Sequence, residues 1–375
     1  MDLTRWLLRR AAPSAFVVTA VGGTGARLAV ERVLRERGWA QALAPAEADL
    51  LMVCGPRHRD LVGPVDRVWD QLPGPRARVR VDAPEVAARR LDEARAELRD
   101  VARQRRDAEQ RDRATHSASP TASGHNGDMM MPGGVPMADR AEDRDGLMLD
   151  QLHIALGPAL PDWPSGLSLR LVIQGDVVQD AEASTVGEPT EATVAYWDAP
   201  VVDADGHPDS LRARAAGALD SMQRLLSVAG WPSAALSGRR LRDALLSTDP
   251  QTLPPRDLVR WLRRVRRSRM LRWSTNGLGE ITGDTAAWMR GDATDRWSRW
   301  LDEVEFAAVA EGGGAAPPPD PRASAALRAQ STRAALRLLP SLLIGQELAA
   351  VRLIVASVDP DLGTLTAGDR EGSHG

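Results

Sequence analysis

The sequence predicts a multidomain chain of α/β plus α+β class: a small doubly wound parallel sheet first, then a long charged helix and a linker, then a mainly helical unit with a small β layer. Three observations carry this. Short apolar runs alternate with helix-period segments over residues 1–84, a Ser/Gly/Pro-rich stretch breaks every period over 115–145, and β-type then helical patterning resumes over 146–375. A length of 375 residues fits more than one packed unit at ~100–200 residues each.

Residues 15–21 read as a buried strand and 25–37 as a helix with Ala26, Leu28, Ala29, Val33 and Leu34 apolar. Leu50 to Val53 is a second buried strand. Leu61, Val65, Val68, Trp69 and Leu72 mark another helical stripe, and Arg76 to Val81 alternates as a third strand. From 85 to 114 Ala87, Leu91, Ala94, Leu98 and Val101 recur at helical spacing in a run of charge, which predicts one long amphipathic helix. The segment 115–145 reads as a flexible linker. Beyond it, 147–154 and 167–178, with a turn at Gly175-Asp176, read as strands. From Ser210 the pattern is helical, interrupted at Pro254-Pro255 and over 312–321.

Composition excludes several classes. The chain is 43% hydrophobic and 26% charged with a formal net charge of -3, which is ordinary for a soluble globular protein and unlike a polybasic nucleic-acid binder. Its 48 basic residues are all arginine, so no P-loop or Schiff-base lysine exists. A single cysteine, Cys54, rules out a disulfide framework and an all-cysteine metal site. Arginines 5, 9 and 10 ahead of the apolar run 15–21 invite a signal-peptide reading, but that run is short and passes into a glycine turn and a charged helix. The apolar stretch 336–358 carries Arg337, Glu347 and Arg352, too many charges for a membrane span, so no transmembrane helix is expected.

Few constellations suggest chemistry. In a doubly wound sheet the loops after the strands form the ligand edge, here 21–25, 54–57 and 82–84. Gly22, Gly23, Thr24 and Gly25 offer a phosphate-binding turn, although the third glycine position of the dinucleotide fingerprint is Leu28; a tight turn is the plainer reading. The six histidines are scattered. His116 and His125 share the linker with Met129, Met130, Met131 and Met137, soft ligands in a segment that otherwise reads as a linker only, so no metal site is assigned. Residues 256–272 carry eight arginines against Asp257, with Leu258, Trp261, Leu262 and Val265 on one helical face. Arg263, Arg264, Arg266, Arg267 and Arg269 are therefore candidates for docking an acidic partner or an anionic lipid surface, and nucleic acid is not expected.

Residues 17–83 resemble a shortened small subunit of nickel–iron hydrogenases and its counterpart in NADH-quinone oxidoreductase (complex I). The resemblance rests on Ala48-Asp49-Leu50-Leu51-Met52-Val53-Cys54-Gly55-Pro56-Arg57, on 65–73 and on the strand ending at Asp82. Residues 146–375 resemble a condensed hydrogenase large subunit, and more closely the large subunit's counterpart in complex I, through Gly157-Pro158-Ala159-Leu160-Pro161, 166–178, 269–281, 291–304 and 339–363. In those families cysteines hold an iron–sulfur cluster; the resemblance places the first pair at Val21 and Thr24 and the next ligand near Ala83, with Cys54 at a position the family does not use. The nickel-binding cysteine pairs have no counterpart, and the histidine beside the quinone corresponds to Leu160. The resemblance implies a fusion of two degenerate subunits with neither iron–sulfur cluster nor nickel. It implies a non-catalytic structural or accessory component of a membrane-associated oxidoreductase assembly, docked on membrane subunits, cytoplasmic or peripheral on the inner face of the cell membrane. The alternative it leaves open is a subunit that still binds quinone or a nucleotide and takes part in electron transfer.

Overall fold

The computed structural model describes residues 12–117, 140–142, 148–187, 196–198, 210–247, 255–283, 289–310 and 325–365. The first unit is a four-stranded parallel sheet made of β1 (Ser14–Thr19), β2 (Ala40–Gln41), β3 (Leu50–Cys54) and β4 (Ala77–Val81), in the order β2-β1-β3-β4. The central strands are covered on both faces, which is why Phe16, Val17, Val18 and all of Leu50–Cys54 can be apolar in unbroken runs. Side chains alternate between the two faces. Val17, Leu50, Met52 and Cys54 meet α1 (Thr24–Glu36) on one face, while Phe16, Val18, Leu51 and Val53 meet α2 (Arg59–Gln71) on the other.

The long helix expected over 85–114 is two helices, α3 (Ala87–Arg99) and α4 (Val101–Ser117). Asp100 separates them. Its backbone is extended (ψ 90°), and its side chain accepts a hydrogen bond from the Arg103 amide at 3.1 Å, so the residue acts as an N-cap for α4 inside what looks like one charged helix. Both helices pack on the first unit. Leu91, Ala94 and Leu98 of α3 lie in the sheet's core, and Gln104 and Asp107 of α4 grip the backbone and guanidinium of Arg76 just before β4.

The linker predicted over 115–145 is shorter than expected. Its first residues complete α4, and β5 (Arg140–Glu142) pairs with β6 (Met148–Leu156) as an edge strand; residues 118–139, including His125 and the methionines, and 143–145 lie outside the described residues. The second sheet is antiparallel, β5-β6-β7-β8, with β7 (Leu167–Gln174) and β8 (Val177–Thr185) joined by the expected turn. Leu167, Leu169, Leu171 and Ile173 face inward at a period of two and pack against α10 (Ala325–Leu343) and α11 (Leu348–Val358). A helical core is built by α5 (Ser210–Val228), α6 (Pro232–Leu245), α7 (Pro255–Arg266), α8 (Arg269–Thr275) and α9 (Ala293–Ala310). Within it lie Leu258, Trp261, Leu262 and Val265, the stripe that periodicity picks out on α7. Among the described residues no helix is long and apolar enough to cross a membrane.

Candidate functional site

The carboxyl edge of the parallel sheet, where this architecture presents a ligand site, is covered by the second unit. Val21, just after β1, belongs to the core formed by β7, α10 and α11, and Ala159 of the second unit sits in the core under α2. Gly166 has a φ of 79°, and a Cβ there would lie 2.4 Å from Val21 Cγ2. His58, after β3, meets the Val21 carbonyl through Nε2 at 3.1 Å.

The glycine turn is explained by packing. A Cβ on Gly23 would stand 2.2 Å from the Cys54 carbonyl oxygen and 2.9 Å from that of Ala20, so the loops after β1 and β3 cross in backbone contact. The Gly23 amide is itself used, donating to Ala20 O at 2.8 Å. Gly25 lies beneath the Tyr196 ring, 3.0 Å from where its Cβ would be. Cys54 faces the other way, into the core under α1, and burial pushes its thiol up to about 12. A thiol so placed is a small apolar side chain rather than a nucleophile or ligand.

Along the seam the structure assembles a group of side chains that periodicity does not reveal. Arg27 and Glu31 sit one turn apart on α1 and bond to each other at 3.0 Å. Asp220 on α5 takes both ends of the Arg27 guanidinium, at 2.7 and 3.1 Å. Arg242 on α6 bridges Glu31 at 2.9 Å and Asp220 at 2.7 Å. Arg239 joins Asp162 at 2.8 Å, and Arg224 joins Asp359 at 2.9 Å. Arg242 also meets Asp243 at 2.8 Å, and Asp243 pairs with Arg35 of α1, so five guanidiniums meet five carboxylates; Glu31, Asp220 and Arg242 are at most 1% exposed in their side chains. Burial by itself would raise the Glu31 carboxyl, but Arg27, Arg242 and Arg239 hold it down to about 2. Burial likewise works against the Asp220 charge, and Arg27, Arg224 and Arg242 hold it far below the ordinary carboxylate range. The five charges of each sign make the seam a neutral ionic joint.

Beside the joint lies a cavity of about 130 Å³ between β1, α1 and the second unit. Thr24 lines it from the first unit; Leu160, Asp359 and Asp361 line it from the second. That volume suits a few waters or one small ring, and is below the ~300–1,000 Å³ of ordinary cofactor pockets. Asp359 holds a left-handed φ of 46° and accepts from Ser221 Oγ at 2.5 Å. Asp361 caps the Gly363 amide at 3.1 Å, and burial together with the neighbouring Asp359 raises its carboxyl above the ordinary value of 3.8. A carboxyl raised by folding costs stability once it ionises. Asp361→Asn, which keeps an acceptor for Gly363, is expected to stabilise the protein at pH 7 by on the order of 0.5–2 kcal/mol. The gain should shrink to nothing below the ordinary carboxyl pKa, as followed by thermal melts across pH.

The five candidate docking arginines divide. Arg266 is neutralised by Asp302 and Glu305 of α9, both at 2.7 Å, and Arg264 lies over the Trp231 ring at 5.0 Å, so these two have partners within the chain. Arg263, Arg267 and Arg269 are exposed and meet no carboxylate among the described residues. Among the described residues, no group of three His, Cys, Asp or Glu side chains is placed to hold a metal. No protein-family model matches the chain, and comparison with curated proteins finds no match either.

Proposed function

We propose that this protein is a non-catalytic structural or accessory component of a membrane-associated assembly of the complex-I or hydrogenase kind, two degenerate subunits fused into one scaffold. One observation carries the reading. Three of the positions that the resemblance assigns to cluster and quinone, Val21 and Thr24 in the first unit and Leu160 in the second, converge on the seam, where Thr24 and Leu160 line one cavity and Val21 fills the core next to it; the fourth, near Ala83, is not among them. They supply methyl groups and one hydroxyl to a region that those families devote to redox chemistry, and the ionic joint beside them ties the two units together. The joint favours a fixed relative placement of two docking faces.

The test is purification of a tagged chain from detergent-solubilised membranes of its native host. Integral membrane subunits of an oxidoreductase should co-purify in fixed proportion. Recovery of the chain free of such subunits would overturn the reading.

A further inference from the structure

We propose that the corner between α7 and α8 is a lipid-docking wedge that inserts Met270 and Trp273 into the interface of an anionic bilayer. Leu271 and Thr275 of α8 point inward, which leaves Met270 and Trp273, three residues apart and so on one side of the helix, directed at solvent. They are 80% and 83% exposed, whereas the next most exposed large apolar side chain among the described residues, Leu152, is at 59%. An aromatic of this size normally buries ~150–250 Å². Two such side chains proud of the surface call for an apolar partner.

The charge around them decides which one. From Leu258 to Gly279 the chain carries seven arginines and no carboxylate. Arg260 pairs with Asp257 at 3.7 Å, Arg266 is held by Asp302 and Glu305, Arg264 lies over Trp231, and Arg272 lies over the Trp297 ring with its Nε donating to the Arg266 carbonyl. Arg263, Arg267 and Arg269 remain exposed beside the wedge without a carboxylate among the described residues. An apolar tip ringed by unneutralised guanidiniums matches the headgroup layer of an anionic leaflet. The indole and thioether enter the acyl boundary, and the guanidiniums take lipid phosphates bidentately. The seven residues of α8 are too few for an anchor lying along the surface; with the C-terminal turn of α7 they form a local wedge, and binding is expected to be reversible.

The inference rests on the membrane-associated reading above, and the two fail separately. The purified full-length chain is sedimented with vesicles of phosphatidylcholine alone and of phosphatidylcholine mixed with phosphatidylglycerol. It should pellet with the mixed vesicles at low salt, pellet little with the neutral ones, and release as salt rises. Changing Arg263, Arg267 and Arg269 to glutamine should weaken partitioning by about 100-fold, at roughly 5-fold per arginine. Met270→Ser with Trp273→Ser should weaken it by about 10-fold or more with every arginine kept. Both variants alter exposed side chains and should melt as the parent does. Bromine-labelled lipid should quench part of the parent's tryptophan fluorescence, and that part should vanish in Trp273→Phe. Failure to pellet with mixed vesicles, or a serine double variant that binds like the parent, overturns the wedge. If membrane subunits nevertheless co-purify, the assembly reading stands without it.

Discussion

Asp220→Asn is expected to cost about 3–5 kcal/mol and to lower the melting temperature by about 5 °C. Asp220 is the carboxylate on which Arg27 and Arg242 both close, with Arg224 at 3.6 Å. Asparagine keeps the shape and one acceptor oxygen but turns an N–H toward a guanidinium and removes the charge. Arg27 is then left with Glu31, Arg224 with Asp359, and Arg242 with Glu31 and Asp243, all of them already engaged. Removing both sides of the pair tests the cause. Asp220→Leu combined with Arg242→Met should cost less than the sum of the single changes, because an apolar pair of similar volume needs no counterion. The pH dependence has a definite sign. Glu31 and Asp220 have folded pKa values below their unfolded ones, so their contribution is full above the ordinary values of 4.5 and 3.8; the Glu31 part is lost as pH falls toward about 2, and the Asp220 part only at still lower pH. The parent should therefore hold its seam at mildly acid pH. Thermal melts of parent and variants provide the check, and an Asp220→Asn variant within 1 kcal/mol of the parent, at about the limit of an exposed salt bridge, would show that the joint contributes little.

Much of the first unit was legible in the sequence because strands covered on both faces must be apolar throughout, and the runs of β1 and β3 are too short for helices and are flanked by turn residues. The α7 stripe was legible for the same reason at helical spacing. What escaped is what tertiary contact decides. Arg27 and Glu31 at i and i+4 look like an exposed helix pair, and only the arrival of α5 and α6 buries them. Asp220 gave no signal either, because Arg224 stands four residues on along the same helix and offers it an ordinary i,i+4 partner. The break at Asp100 escaped because a capping aspartate is indistinguishable from a surface one inside a charged run. The arginine cluster was visible as charge, but its division was not, since Asp302 and Glu305 lie more than thirty residues from Arg266. Nothing in the sequence sets Trp273 apart from the buried tryptophans, and its 83% exposure is a property of the fold alone.

Gly23→Ala is expected to be as damaging, and it separates two meanings of the glycine turn. Gly23 has a φ of −91°, a conformation open to alanine, so any penalty is collisional rather than conformational. The added Cβ would lie 2.2 Å from the Cys54 carbonyl oxygen, 2.8 Å from its carbon and 2.9 Å from the Ala20 oxygen, all backbone atoms in adjacent strand ends. None of them can rotate away. To make room, β1 and β3 must part at their carboxyl ends, stretching the Ala20 N–H bond to Cys54 O and drawing Val21 out of the second unit's core. The expected cost is about 3 kcal/mol or more, with a loss of soluble protein. Gly38→Ala is the comparison. Gly38 has a φ of 65° and open space around it, so its alanine variant meets only backbone strain, on the order of 1 kcal/mol. A turn that existed to cradle phosphate would behave differently, with Gly23→Ala folding normally and losing only anion affinity. Melting both variants beside the parent therefore decides whether the carboxyl edge of this sheet is a binding loop or the place where two strand ends cross and carry the second unit.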